Sequence, residues 1–268
     1  MDRVALDDVE LEYEIRGNGE PVVFVHHGAG VDWFVPLMRV PALADRYRIV
    51  HYHRAGYAGS SPSSAPLTFA LEAVRFRALA AHLGLTRVHL IGHSASACMA
   101  LQIALDDAQR VHSLTLLEPA LMAVPSPPEV PRAMELYRAG DTPAAVETFL
   151  QGTCGPQYRP ILTRAVPTAI EQALAAADMF FGQELPALRQ WSFGANEARG
   201  ITQPVLAVLG AMSDDRFQQR QRLLLEWLPL AEAFELPDAG HLLHLQNTKG
   251  LADGLVAFLA RHPFPAAA

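Results

Sequence analysis

Short apolar runs alternate with helical stripes along most of this chain. Two β-type segments come first, residues 9–16 and 22–26, separated by Gly17-Asn18-Gly19-Glu20-Pro21, residues that accept the unusual backbone angles of a turn. Residues 48–52, 88–91, 113–117 and 205–209 are short, nearly continuous apolar runs, the pattern of parallel strands covered on both faces. Residues 68–83 carry apolar positions at helical spacing and end before Gly84, a stop signal, and 94–107 and 215–228 also read as helices. A further strand at 231–236 precedes a last helix. Such alternation predicts an α/β fold with a mainly parallel, mixed sheet and right-handed crossovers.

The rhythm breaks between residues 120 and 199. There the Pro-rich stretch Val124-Pro125-Ser126-Pro127-Pro128 leads into helical segments without a clear strand. We read this as a helical cap, residues 120–199, inserted into a core formed by 1–119 and 200–268. There are no internal repeats.

Of the 268 residues, 50% are hydrophobic, enough for one sizeable core, and the formal net charge is −7. Lys and Arg are scattered, so neither a nucleic-acid footprint nor one for an anionic membrane is present, and the expected partner is a small, largely apolar molecule. The N-terminus carries acids where a secretory peptide has its apolar centre, and no apolar run approaches the roughly 18–20 residues that span a bilayer. These features predict a soluble, cytoplasmic protein with Cys98 and Cys154 as free thiols. Exposed faces of the mid-chain helices would suit a homodimer, though nothing in the sequence tests it.

Candidate chemistry begins at Ile91-Gly92-His93-Ser94-Ala95-Ser96, between an apolar run and a helix-forming stretch. Small residues flanking Ser94 let strand and helix approach while the hydroxyl projects from a tight turn, as a nucleophile requires. Ser96 stands where the usual pattern has glycine. The competing reading makes Ser94 a plain helix cap. Near the C-terminus, Gly240-His241 lies on a loop after a strand, where an imidazole titrating near neutrality can fold back and exchange a proton with Ser94. His244 is the alternative base; the glycine before His241 favours the latter.

With His27-Gly28-Ala29-Gly30 after an early strand, these motifs come in the order that resembles the α/β-hydrolase superfamily across essentially the whole chain. The resemblance implies that the backbone N–H groups of Ala29 and Ala95 form an oxyanion hole. It also implies a triad acid after the strand at 205–209, but the sequence there reads Gly210-Ala211-Met212-Ser213-Asp214-Asp215, with serine in the expected place. Glu118 directly follows the strand at 113–117, where a minority of the superfamily, including the zearalenone lactone hydrolases that this chain resembles in part, carry the acid. Glu118 is therefore the expected acid and Asp214 the runner-up, Asp214 and Asp215 otherwise serving as helix-capping residues.

His51-x-His53 places two rings on one strand face, but no third ligand of metal spacing is evident, so no metal is expected. The glycines at 28 and 30 lack dinucleotide spacing, so no cofactor is expected either. Gly28, Trp33, Phe34, Phe180, Phe181 and Trp191 are the expected substrate-binding residues. The resulting expectation is a serine hydrolase of esters or lactones, extending to macrolactones. A C–C bond hydrolase, a perhydrolase on the same triad and a non-enzymatic binding protein are the alternatives.

Overall fold

A computed structural model describes residues 1–265. Its eight strands are β1 (Asp2–Ala5), β2 (Glu10–Arg16), β3 (Pro21–Val25), β4 (Arg48–Tyr52), β5 (Val88–His93), β6 (Val111–Leu117), β7 (Val205–Gly210) and β8 (Glu232–Leu236). They form one sheet in the order β1-β2-β4-β3-β5-β6-β7-β8. The β1–β2 and β2–β4 pairs are antiparallel and the other five parallel, so the expected mixed sheet is present. β1 falls outside the expected strands: it buries only Val4, and two adjacent apolar residues in four give no readable alternation.

Side chains alternate between two packed layers, as the pleat requires. Val23, Val25, Leu90, Leu114 and Leu116 meet helices Phe69–His82 and Ala95–Asp106 on one face. Val22, Phe24, Ile91, Leu206 and Val208 meet the last helix, Thr248–Arg261, on the other. Because the central strands are covered on both sides, their sequences are mostly apolar, with His89, Ser113 and Thr115 among the buried exceptions.

Between β6 and β7 the chain forms helices and no strand. The longest are Glu129–Arg138 and Thr142–Cys154, and a π-helical turn, Phe180–Glu184, follows later in the segment. Their apolar residues join the layer that contains the Ala95–Asp106 helix. None of the helices is long and apolar enough to cross a membrane among the described residues.

Candidate active site

Ser94 sits at the turn from β5 into the Ala95–Asp106 helix with φ 55° and ψ −120°. A non-glycine residue rarely occupies that region, and the surrounding bonds hold it there. The Ser94 N–H donates to Leu117 O at 2.9 Å, and its carbonyl accepts from the N–H groups of Ala97 and Ala120, each at 3.2 Å. Gly92 is required by space, since a Cβ there would lie 2.4 Å from Ser96 O. Ser96, the departure from the usual pattern, clips the turn to itself: its hydroxyl donates to His93 O and accepts from His93 N–H, both at 2.9 Å.

His241 follows β8 on the expected loop. Its Nδ1–H donates to Glu118 Oε2 at 2.7 Å, and because a carboxylate only accepts, the second ring nitrogen is left as the proton acceptor. The ring stacks on Phe217 with centroids 4.1 Å apart and rests against His93 on another side, centroids 4.5 Å apart. Ser94 and His241 line the same cavity. Glu118 is 2% exposed and also has positive φ, 44°. Its other oxygen, Oε1, accepts from Gly210 N–H at 2.8 Å and from the Ser213 hydroxyl. Ser213, found where the common arrangement has its acid, thus steadies the carboxylate that replaces it.

Asp214, the runner-up acid, is bonded to Arg216 and not to His241. Its side chain is 43% exposed, accepts from Arg216 N–H at 2.9 Å and pairs with the Arg216 guanidinium, capping the Asp215–Trp227 helix. His244 is fully buried against Trp33, Phe34 and His93, and neither of its nitrogens has a partner among the described residues. Burial, with the nearby His241 charge, lowers its pKa to about 3.

The Ala29 and Ala95 N–H groups make no hydrogen bond among the described residues, and Ala95 lines the cavity. Neither Ala29 nor Gly28 is among the residues that line it, and the Gly28 N–H donates to Glu184 Oε1 at 2.9 Å. Glu184, on the π-helical turn, also accepts from the Tyr57 hydroxyl at 2.6 Å and pairs with Arg54, all three side chains being buried. A Cβ on Gly28 would meet the Tyr57 hydroxyl at 2.4 Å and Glu184 Oε2 at 2.6 Å, so this glycine is fixed by packing. Glu184→Ala should cost about 3 kcal/mol of stability, since it removes the nearer of the two carboxylates that pair with the buried Arg54 and leaves only Glu72, at 3.5 Å. Urea unfolding of the variant checks this, and a loss below about 1 kcal/mol would show that Glu72 alone is enough to hold the Arg54 charge.

Of the expected binding residues, Trp33 and Phe180 line the cavity. Phe34 instead points to the opposite layer, against Phe24 at 5.2 Å. Phe181 stacks on Tyr137, and Trp191 donates to Gln102 Oε1 at 2.8 Å while stacking on Phe193. Their places are taken by Phe149, Leu185, Leu188, Phe217 and Arg220, with a cavity of about 60 Å³ between them.

The fold brings Asp32 to His51 and His53, with one possible ligand atom from each within 4.8 Å of the others. His53 Nδ1 faces Glu12 at 2.5 Å and Nε2 faces Asp32 at 3.1 Å. Burial lowers the His53 pKa, but the hydrogen bonds to Asp32 and Glu12 outweigh it and raise the group above its ordinary value. Both ring nitrogens of His53 are thus engaged by carboxylates.

Sheet order and the strained strand-to-helix turn together define the α/β-hydrolase class. The chain belongs to the alpha/beta hydrolase family, which it matches over residues 22–253. It is 29% identical over 255 residues to the "Putative carbamate hydrolase RutD" of Klebsiella pneumoniae, covering 90% of this chain and 93% of that one. A match to the dihydrolipoyllysine-residue acetyltransferase component of the acetoin cleaving system of Cupriavidus necator is 33% identical over 114 residues. It covers 42% of this chain but spans only 30% of that longer protein. Among solved structures, the enol-lactonase from Burkholderia xenovorans superposes with a TM-score of 0.80 at 20% identity, over 97% of this chain and all of that one.

Proposed function

We propose that the protein is a serine hydrolase that cleaves a carboxylic ester or lactone through an acyl-enzyme on Ser94. The observation that carries this reading is the 2.7 Å bond between Glu118 and His241 beside Ser94 in one cavity. His241 takes the Ser94 proton as Oγ attacks the carbonyl, and Glu118 holds the imidazole in the required tautomer and stabilises its cation. The N–H groups of Ala29 and Ala95 receive the developing oxyanion, an interaction whose loss typically costs around 10²–10³ in rate. Collapse expels the alcohol, which takes its proton from His241; water then attacks the acyl carbonyl as it loses a proton to His241, and His241 returns that proton to Ser94 Oγ as the acid leaves.

The small cavity favours a short acyl group or a compact lactone over a macrolactone while the inserted helices keep their positions. Carbamates, suggested by the name of one relative, undergo the same attack and belong in the substrate panel. A fluorophosphonate probe and p-nitrophenyl butyrate test the reading together. The expected result is one phosphonyl group per chain, mapped to Ser94, with loss of ester hydrolysis in proportion. Labelling elsewhere, or hydrolysis that survives complete labelling of Ser94, overturns it.

A further inference from the structure

Arg220 is the only side chain of fixed charge among the residues that line the cavity, and it is 4% exposed. It lies on the Asp215–Trp227 helix, one turn beyond Phe217, the ring on which His241 stacks. Its guanidinium carbon is 5.5 Å from the Phe217 ring centroid. Two of its nitrogens are engaged by neutral groups: Nε donates to Leu121 O and Nη2 to Val124 O, each at 3.2 Å. Nη1 has no hydrogen-bond partner among the described residues.

Among the described residues no carboxylate pairs with this cation. Asp214 and Glu118 act on it only through space, one being engaged by Arg216 and the other by His241. A buried charge without a counter-ion is expensive, and two carbonyl oxygens recover only part of its lost hydration. The other walls of the cavity are mostly apolar, with Val130, Phe149, Phe180, Leu185 and Leu188 among them. In such surroundings an anion gains more from a guanidinium than it would in water.

We propose that Arg220 is an anion-binding subsite, and that the substrate carries a carboxylate a few bonds from the carbonyl attacked by Ser94. This rests on the ester or lactone reading above and narrows it to acidic substrates such as half-esters of dicarboxylic acids. The net charge of −7 works against any anion approaching the protein, so a preference for an acidic substrate has to come from a local cation.

The test compares p-nitrophenyl hemiglutarate with p-nitrophenyl valerate, a neutral ester of similar length. In the wild type kcat/KM should favour the hemiglutarate by at least about tenfold, the scale of one charge-assisted hydrogen bond. Arg220→Gln, whose amide nitrogen can take over the Nε bond to Leu121 but falls short of Val124, should bring that ratio below one, and Arg220→Lys should leave it intermediate. Titration calorimetry of the wild type with glutarate supplies a readout without turnover: binding is expected, and Arg220→Gln should abolish it. Equal or better hydrolysis of the valerate, with no glutarate binding, overturns the subsite and leaves the hydrolase reading intact. Glutarate binding without hydrolysis of either ester overturns the hydrolase reading and keeps the subsite.

Discussion

Replacing Ser94 by alanine should lower kcat/KM for p-nitrophenyl butyrate by at least about 10⁴, and Glu118→Gln by about 10³–10⁴, while Asp214→Asn stays within about twofold. The first change removes the attacking oxygen. The second keeps the size of the side chain but removes the negative charge that fixes the Nδ1–H tautomer of His241 at 2.7 Å. It also obliges a neutral amide to face the Gly210 N–H and the Ser213 hydroxyl, both of which now donate to Glu118. Asparagine remains a good helix cap at 214, and the half-exposed pair with Arg216 is worth little. Steady-state kinetics, with circular dichroism to confirm folding, decide the matter. A collapse in Asp214→Asn with Glu118→Gln near wild type would move the acid to the common position.

Ser94, His241 and Glu118 are legible because each is announced by local context: a residue at the end of an apolar strand, with small or turn-forming neighbours. The parallel strands are legible for the related reason that burial on both faces leaves nearly continuous apolar runs. What the sequence hides are contacts made across the chain. Glu184 reaches Gly28 over 156 residues, and no spacing rule joins them. Asp32 likewise meets His53 only because β3 and β4 are neighbours in the sheet. Trp33 and Phe34 looked equivalent, yet the turn between β3 and the following helix sends one to the cavity and the other to the opposite layer. Phe180 and Phe181 part ways because neighbouring helical residues point about 100° apart, so one ring faces the cavity and the other stacks on Tyr137. Arg220 is hidden in the sequence because its helix reads as an ordinary one, and an arginine on such a helix is more often at its solvated edge.

Acid should unfold this protein well before its carboxylates titrate, with stability declining from about pH 6.5 downward. Burial holds His26, His27 and His93 well below the ordinary imidazole value, with neighbouring cations adding to the effect. His51 and His89 are lowered to about 4 and His244 to about 3, again chiefly by burial. In the unfolded chain each takes up a proton near pH 6.5, while in the fold it stays neutral. The unfolded state therefore binds more protons below that pH, and each such histidine removes up to about 1.4 kcal/mol of stability per pH unit until its folded pKa is reached. His53 works in the other direction: its raised pKa gives stability that is complete below about pH 6.5 and is lost as pH rises through the folded value. Asp32 and Glu12 are lowered despite burial, by bonds to His53 among others, so their contribution persists to about pH 4 and fades below it. One histidine cannot offset six, and the carboxylates steepen the decline only at the acid end. Urea unfolding at pH 7.5, 6.0 and 5.0 should show a falling midpoint, and His244→Leu should flatten the fall by up to one proton's worth. A midpoint constant from pH 7.5 to 5.0 would mean that the buried rings reach water, because a ring that titrates alike in both states adds no slope.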